Sequence, residues 1–386
     1  MEVKKGYKQT ELGIIPEDWD ALSIYEVAKI TTGGSDTQDR IDDGEYPFFV
    51  RSQKVERINQ FTMNCEAILT SGDGVGVGKI FHYVNEKFDF HQRVYCIYDF
   101  NQKTTGKYLY YQFSTSFYNR VMQLTAKSSV DSVRREMIAE MVLPFPKKVS
   151  EQTAIANALS DMDALINQTE KLIEKKKAIK QGAMQELLKP KEGWVTKKLG
   201  EIVSVIKSGG TPLTSNREYY NGEIPFLSIS DMTNQGKFLN YTSSNISQEG
   251  LDNSSSWLVQ KESLIYSMYA SVGFVSLNKI DIAISQAVLG MKFKEFINLD
   301  FMYYALVSMQ KSVLKFVGEG TQKNLNAASV KNFDITFPSI FEQKNISMIL
   351  NEIDQDINLT VHKLTKLKQQ KQGMMQALLT GKIRLV

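Results

Sequence analysis

Two long segments of the chain repeat apolar residues at alternating steps of four and three. The first of them, residues 151–188, contains no proline and a single glycine. A 3.5-residue repeat that is held over four heptads is typical of a coiled coil. The pattern therefore predicts two long helices that pack along their apolar stripes. The predicted seam residues are Ile155, Leu159, Met162, Ile166, Thr169, Ile173, Ile346, Leu350, Ile353, Ile357, Thr360 and Leu364.

Charge divides each of these segments into two halves. Residues 150–170 carry acidic side chains and no lysine or arginine, whereas residues 171–191 are rich in lysine, and the second segment repeats the division. Antiparallel pairing places acid beside base, while parallel pairing places like charges together. The sequence therefore predicts two antiparallel helices, with Lys180 and Lys371 as matching polar exceptions in the register. A helix of about 37 residues is roughly 55 Å long, a suitable length for a spacer between domains.

The chain contains an internal repeat. Landmarks of the first half recur in the second half in the same order, and those of the helical segments share one offset of 191 residues. The clearest matches are Gly33-Gly34 with Gly209-Gly210, His91-Gln92-Arg93-Val94 with Ser285-Gln286-Ala287-Val288, Leu143-Pro144-Phe145-Pro146 with Ile335-Thr336-Phe337-Pro338, and Glu151-Gln152 with Glu342-Gln343. The stretches between landmarks match much less well. This pattern predicts two related domains with different ligands, and an old duplication kept only for its fold is the alternative.

The segments outside the long helices read as mixed, strand-rich domains. Short β-branched and aromatic runs are bounded by Gly, Asn and Asp, and residues 105–124 and 299–316 have helical apolar faces. The predicted fold class is α+β, with two similar mixed α/β domains separated by two long antiparallel helices that form a coiled coil, in a pseudo-twofold internal repeat. The predicted divisions are a first recognition domain at 1–149, a central spacer helix at 150–189, a second recognition domain at 190–340, and a C-terminal spacer helix and tail at 341–386.

Composition limits the class of protein. The 386 residues include 46 Lys and Arg against 43 Asp and Glu, so any nucleic-acid surface must concentrate its charge locally. The two cysteines, Cys65 and Cys96, argue against a disulfide framework and for a reducing compartment. The sequence shows no signal peptide and no apolar run long enough to span a membrane. These features predict a soluble, cytoplasmic protein.

Cationic residues stand among hydroxyl and amide residues at several predicted loops. Such groups suit phosphate contacts, and Arg, Gln and Asn can read base edges through two hydrogen bonds. For any one of these residues, an ordinary solvated loop is the alternative. The DNA-binding candidates in the first domain are Arg51, Ser52, Lys54, Lys79, Gln92, Arg93, Lys127, Arg134 and Arg135. Those in the second domain are Lys207, Asn216, Arg217, Gln322, Lys323 and Asn324.

The motifs of catalysis are not recognisable in the sequence. The glycine-rich stretch Gly72–Lys79 lacks the glycine at position 73 and the Ser or Thr at position 80 that a phosphate-binding P-loop needs, so it predicts a tight turn. Its Lys79 remains a candidate phosphate contact. The three histidines are scattered, the cysteines lack metal-ligand spacing, and no nucleophile elbow appears. We therefore expect a chain that binds and does not catalyse, without a metal or cofactor of its own.

Taken in order, these motifs resemble the specificity subunits of type I restriction–modification systems over essentially the whole length. The resemblance lies in the leader Tyr7–Trp19, the second start Trp194–Ile202, the two glycine pairs, the two helix starts Glu151–Ala156 and Glu342–Ile346, and the closing Leu378–Leu385. The second start lacks the fuller leader seen at residues 7–18.

The resemblance implies a function. Each domain would read one half of an asymmetric, bipartite site in double-stranded DNA. The helices would set the spacer and dock two DNA adenine methyltransferase (modification) subunits, which methylate adenine N6 with S-adenosylmethionine. Restriction and translocase subunits, with ATP and Mg²⁺, would join the complex, and no membrane would be involved. The alternative is a scaffold of two binding modules on a coiled coil that does not bind DNA.

Overall fold

The computed structural model describes residues 5–124, 132–319 and 325–385. Its contacts divide the chain into two units, Met1–Lys171 with His362–Val386, and Leu172–Val361. We call them unit 1 and unit 2 and describe each by itself. Both boundaries fall inside long helices, so each unit holds one strand-rich domain and part of each helix.

Unit 1 is built around a six-stranded mixed sheet, because apolar residues alternate or run together in short β-branched and aromatic segments. Its strands are β1 (Tyr7–Thr10), β2 (Gly13–Pro16), β3 (Trp19–Ser23), β4 (Lys29–Thr32), β5 (Tyr46–Phe49), β6 (Glu56–Ile58), β7 (Met63–Ser71), β8 (Phe81–Phe90), β9 (Val94–Tyr98) and β10 (Val142–Pro146). Its helices are α1 (Gly106–Leu124), α2 (Arg135–Ala139) and the first part of α3 (Val149–Leu187).

The strand order of the large sheet is β4-β9-β7-β8-β5-β6. Strand β5 joins β8 in parallel, and the other neighbours are antiparallel. Strands β1 and β2 form a hairpin, and β3 pairs with β10. Helix α1 covers the sheet with a buried aromatic face that includes Tyr108, Phe113 and Phe117. The helix predicted at 105–124 is therefore observed, and Tyr108 and Tyr111 are core residues as predicted.

Unit 2 repeats this plan with two sheets in place of one. Its strands are β11 (Val195–Lys198), β12 (Val203–Ser208), β13 (Tyr220–Leu227), β14 (Phe238–Leu239), β15 (Ser244–Ile246), β16 (Leu258–Val259), β17 (Leu264–Ser267), β18 (Val275–Asn278), β19 (Ile282–Ile284), β20 (Val288–Phe293) and β21 (Asp334–Phe337). Its helices are α4 (Leu199–Ile202), α5 (Ile229–Gln235), α6 (Gln248–Asp252), α7 (Leu299–Glu319), α8 (Ala327–Lys331) and the first part of α9 (Ile340–Leu378).

The sheets of unit 2 have the strand orders β12-β20-β17-β18-β14 and β15-β13-β19-β16, and β11 pairs with β21. The parallel contact of β13 with β19 is the counterpart of the contact of β5 with β8 in unit 1. The pair β11 and β21 likewise corresponds to β3 and β10. The predicted internal repeat is thus present as equivalent strand pairings.

Ion pairs between the long helices set their direction within each unit. In unit 1, Lys371 of α9 pairs with Asp163 of α3, and Lys368 pairs with Glu170 at 2.7 Å. In unit 2, Lys176 of α3 pairs with Asp356 of α9 at 2.7 Å, and Lys180 pairs with Asp354. Residue numbers rise along one helix while they fall along the other. The predicted antiparallel arrangement is confirmed in both units, and acid lies beside base as the charge pattern required.

In two of these ion pairs, the aspartate also accepts a hydrogen bond from a tyrosine of a domain helix. In unit 1, the Tyr111 hydroxyl of α1 donates to Asp163 at 2.9 Å, and in unit 2 the Tyr304 hydroxyl of α7 donates to Asp354 at 2.7 Å. Burial, together with the hydrogen-bonded carboxylate, raises the pKa of both phenols well above the usual value. The polar exceptions Lys371 and Lys180 are therefore equivalent members of two Lys–Asp–Tyr clusters that join a long helix to its domain.

The seam side chains are buried or half-buried throughout. Ile155 and Leu159 belong to the core of unit 1, and Ile346 and Leu350 to that of unit 2, so each long helix begins inside its domain. The hydroxyl groups of the two seam threonines donate hydrogen bonds to the backbone of their own helix. Thr169 donates to the Leu165 carbonyl at 2.7 Å and Thr360 to the Asp356 carbonyl at 2.8 Å, which makes a polar seam position tolerable.

The Glu-Gln motif at each helix start holds the helix to its domain. Gln152 Nε2 donates to the carbonyls of Lys103 and Pro146, and its Oε1 accepts from the amide of Thr105. Gln343 makes the same three bonds, to Phe296, Pro338 and Asn298. Both side chains are fully buried. The repeat therefore preserves a buried junction, and we call each a glutamine latch.

Candidate nucleic-acid interface

Each glycine pair crosses the end of a strand at a distance that only glycine allows. A Cβ on Gly33 would lie 1.8 Å from the carbonyl oxygen of Phe90 at the end of β8. A Cβ on Gly209 would lie 1.7 Å from the carbonyl oxygen of Ile284 at the end of β19. The two positions are equivalent in the parallel pairings β5–β8 and β13–β19. This close approach is the physical reason for the repeated glycine.

A tight turn follows the crossed strand in both units. In unit 1, the amide of Val94 donates to the His91 carbonyl at 2.9 Å, and the amide of Arg93 donates to His91 Nδ1 at 2.9 Å. In unit 2, the amides of Val288 and Ala287 donate to the carbonyl and hydroxyl oxygens of Ser285. The first side chain thus caps each turn. We call the glycine-pair segment and this turn a corner, with Gly33–Asp36 and His91–Arg93 in unit 1, and Gly209–Arg217 and Ser285–Ala287 in unit 2.

Beside the unit 1 corner, two predicted cations pair with one carboxylate. Arg51 Nη1 lies 2.8 Å from Asp73 Oδ1, and Arg93 Nη1 lies 3.4 Å from Asp73 Oδ2. Both arginines remain exposed. Asp73 stands in the turn Gly72–Lys79 between β7 and β8, whose tip residue Val75 is 96% exposed. Residues that are remote in sequence therefore form one cationic surface around a single acidic side chain.

The remaining unit 1 candidates lie at different distances from this cluster. Ser132 forms an isolated bridge with Asp73, which brings Arg134 and Arg135, at the start of α2, beside the same turn. Lys79 lies over the ring of Tyr118, 5.4 Å from its centroid. Two candidates make local contacts instead, since Lys54 pairs with Glu56 at 3.0 Å and the Ser52 hydroxyl donates to the Lys54 carbonyl. Lys127 lies outside the described residues.

Two histidines of unit 1 have pKa values below the ordinary histidine value. Burial lowers the pKa of His91, and the Arg51 guanidinium lowers it further, while Asp36 and Asp73 act in the opposite direction. Burial also lowers the pKa of His82, whose Nε2 lies 3.0 Å from the Ser52 carbonyl. A neutral His91 can accept the Arg93 amide bond through Nδ1, which an imidazolium cannot do.

In unit 2 the candidates are less clustered. Lys207 lies over the indole of Trp257 at 4.4 Å from the ring centroid, a cation–π contact. Asn216 caps a short 3-10 helix by accepting the Glu218 amide at 3.1 Å, so its side-chain oxygen has a structural role. Arg217 begins that helix and is exposed. Gln322, Lys323 and Asn324 lie outside the described residues.

Sequence reasoning missed several residues in or beside the corners. Asp73 and Asp36 are acidic, whereas the DNA-binding candidates are cationic, amide or hydroxyl side chains. Gln286 and Thr211 form a hydrogen bond at 2.7 Å, although neither was a candidate. The repeat itself carried the signal for Gln286, because it placed this residue opposite the candidate Gln92.

The corners can contact phosphates through cations and read base edges through amides. Within the described ranges, no group of three His, Cys, Asp or Glu side chains is arranged to hold a metal ion. No helix in the described part of the chain is long and apolar enough to cross a membrane. The chain therefore has two strand-rich domains that carry equivalent corners with different exposed side chains.

Comparison with known proteins identifies the family. The family model for the type I restriction modification DNA specificity domain matches twice, at residues 16–181 and 191–369. The chain belongs to this family, and it is the DNA specificity subunit of a type I restriction–modification system, with two target-recognition domains. It is therefore a recognition subunit and not a catalytic one. This result favours DNA binding over the alternative of a scaffold that does not bind DNA.

Individual relatives match either the whole chain or part of it. The candidate specificity subunit of the type I restriction enzyme MjaX from Methanocaldococcus jannaschii is 26% identical, over 99% of this chain and 97% of that protein. The specificity subunit of the Escherichia coli enzyme EcoDI is 29% identical over 42% of this chain and 35% of that protein. Among solved structures, the S subunit of a type I system from M. genitalium has the same fold, with a TM-score of 0.65, 17% identity and 98% coverage of both chains.

Proposed function

We propose that the two recognition domains, residues 1–149 and 190–340, each read one half of an asymmetric, bipartite DNA site. The observation that carries this proposal is the pair of equivalent corners, which share a backbone plan and differ in side chains. The glycine crossing and the capped turn recur in both units, whereas Arg93 stands where the other turn has Ala287. A common frame with different reading groups suits two half-sites of different sequence.

The test is methylation mapping in cells that supply the partner subunits. Residues 31–128 are replaced by the same region of a relative, and the methylated sequence is determined before and after the exchange. We expect one half of the methylated motif to change while the other half persists. A graft that changes both halves, or neither, would contradict separate reading by the two domains.

The long helices would set the unspecific spacer between the half-sites. Support comes from the ion pairs and Lys–Asp–Tyr clusters, which fix the helix register within each unit and join the helices to the domains. Adding a matched insertion of a few residues to both helices should lengthen the spacer in the methylated motif and leave the half-sites unchanged. Altered half-sites with an unchanged spacer would count against this role.

Two modification subunits would dock on a groove that occurs in both units. In unit 1 a groove of about 560 Å³ lies between α1, β10 and the end of α9, with Thr115, Pro144 and Leu379 in its lining. In unit 2 a groove of about 160 Å³ is lined by Ser308, Thr336 and Leu188, the equivalents of those three residues. Identical partners require the same surface twice, and this surface is present twice.

A matched pair of variants tests the docking. Thr115→Arg and Ser308→Arg each place a long cation in one groove at an exposed position. Native mass spectrometry of the reconstituted complex should show two modification subunits on the wild type, one on either variant, and none on the double variant. Gln102→Arg, exposed elsewhere on unit 1, is the control. Two bound modification subunits on both single variants would refute the assignment.

In the full system, S-adenosylmethionine would bind the modification subunits, and ATP and Mg²⁺ the restriction and translocase subunits. The complex would act in the cytoplasm, in keeping with the two free cysteines, Cys65 and Cys96. This chain would determine which DNA sequence the complex binds and would provide the surface on which the other subunits assemble.

A further inference from the structure

One exposed side chain is shared by two corners that otherwise differ. The second position of the capped turn is Gln92 in unit 1 and Gln286 in unit 2, and both are exposed. The two four-residue turns also share a valine at their fourth position. Val94 and Val288 are buried at the start of β9 and β20. Packing accounts for the valines. It gives no reason to keep a glutamine in solvent at the same place twice.

Each glutamine is also oriented by the same neighbouring segment. Gln92 Nε2 donates to Asp36 Oδ2 at 2.9 Å, and Gln286 Oε1 accepts from the Thr211 hydroxyl at 2.7 Å. Asp36 and Thr211 both lie just beyond the glycine pair. A primary amide has two donor hydrogens and two acceptor lone pairs, so one bond leaves each side chain able to donate and accept at once. Each corner therefore presents an oriented glutamine amide that can still donate one hydrogen bond and accept another.

An amide with a free donor and a free acceptor is complementary to the major-groove edge of adenine, which offers the N7 acceptor and the N6 amino donor. Side chains that differ between the corners suit bases that differ between the half-sites, and a shared side chain suits a shared base. We propose that Gln92 and Gln286 each read an adenine in their own half-site. This inference rests on the proposed function: two adenine-methylating subunits that each act on one half-site require an adenine in both half-sites.

The test uses the complex with its modification subunits and a duplex that carries the mapped methylation site. Each adenine of the duplex is replaced in turn by 7-deazaadenine, which keeps the Watson–Crick pair and lacks the N7 acceptor. Replacement of the adenine that Gln92 reads should weaken binding to the wild type by about 5- to 150-fold. The Gln92→Ala complex should be insensitive at that position and should keep its sensitivity in the other half-site.

Gln286→Ala should show the reverse pattern, so the two variants serve as controls for each other. Gln102→Ala, at an exposed glutamine of unit 1 outside the corner, should behave as the wild type, and melting temperatures verify that all variants fold. The inference would be overturned if Gln92→Ala and Gln286→Ala weakened binding equally on every duplex and stayed sensitive to 7-deazaadenine at every adenine. That result would mean that the glutamines contact the DNA backbone. A wild-type complex that prefers no sequence would overturn the proposed function as well, and the two failures are distinguishable.

Discussion

The capped turn of unit 1 begins with His91, where the equivalent turn of unit 2 begins with Ser285. Both side chains accept an amide bond from the residue two positions on. The difference is that imidazole titrates near neutral pH and a hydroxyl does not. A pH dependence is therefore built into one corner and not into its counterpart.

We predict that unit 1 loses stability as the pH falls. Burial and Arg51 lower the pKa of His91 in the folded protein. The unfolded chain therefore binds more protons at this residue than the folded chain does. The stability that neutral His91 contributes is lost as the pH falls from above the ordinary histidine pKa of about 6.5 toward the lowered pKa of the folded protein. The buried His82 acts in the same direction. His91→Ser should reduce the drop in melting temperature between pH 7.5 and 5.5. An identical drop in the variant would assign the effect to other groups.

Asp73 holds the side chains of Arg51 and Arg93 together and neutralises part of their charge. Because both arginines are exposed, the ion pairs themselves contribute little to stability. Their effect should appear in DNA binding, where phosphates compete with the carboxylate for the guanidinium groups.

We predict that Asp73→Asn raises the affinity for random DNA and makes it more dependent on salt. Each additional phosphate contact steepens the slope of log K against log salt by about 0.9, so releasing both arginines gives a change of about 1 to 2. Fluorescence anisotropy across a salt series measures this slope. Asp99→Asn, which breaks the Lys29–Asp99 pair at the other end of β4, is the matched control. An unchanged slope would exclude both arginines from the interface.

Among the elements, the start of each long helix shows what a sequence pattern can and cannot give. The heptads predict that α3 and α9 exist, and the charge halves predict that they run antiparallel, because both follow from the local order of residues. The pattern marks Gln152 and Gln343 as repeated residues but gives no information on their partners. Two partners of each glutamine, a carbonyl and an amide, lie in the loop before α1 or α7, which only the tertiary fold brings to the helix. The third partner is the carbonyl of a proline just before the long helix itself.

We predict that breaking one glutamine latch destabilises its own unit. Gln343→Ala leaves one buried carbonyl, together with a partly buried carbonyl and amide, without a partner, at a cost of about 2 to 4 kcal/mol after local relaxation. Hydrogen exchange should speed up in α7 and β21 and stay unchanged in β7 and β8. Gln152→Ala should give the reverse, and the exposed Gln168→Ala should change neither. Uniform loss of protection in all variants would contradict the latch.

At the scale of the whole chain, the sequence predicts the architecture better than the binding surface. The offset of 191 residues and the glycine pairs are enough for two related domains, since duplicated folds keep their landmarks. The cluster of Arg51, Asp73 and Arg93 was not predicted as a cluster, because its members come from three separate loops of the sheet. Only the pairing of β5 with β8 and of β7 with β9 brings those loops together.

The chain ends are joined within unit 1 by one arginine. Arg384 donates to Asp18 Oδ1 and Oδ2 at 2.9 and 2.7 Å, and also to both oxygens of Glu151. The Glu151 side chain is only 1% exposed, and Arg384 donates to both of its carboxylate oxygens. Asp18 is half exposed, and the hydrogen bond from Arg384 lowers its pKa. The last residues of the chain therefore stabilise the start of α3.

We predict that Arg384→Met costs about 3 to 5 kcal/mol in unit 1, since it leaves a carboxylate buried without its partner. Adding Glu151→Gln should recover part of the loss, because a neutral amide tolerates burial better than a charge. Hydrogen exchange in β3 and β10 reports on unit 1, and exchange in β11 and β21 reports on unit 2. Lys382→Met, an exposed change in the same tail, is the control. If β3 and β10 keep their protection from hydrogen exchange after Arg384 is replaced, the tail does not stabilise unit 1. In that case, other groups of the domain must stabilise the buried Glu151 side chain.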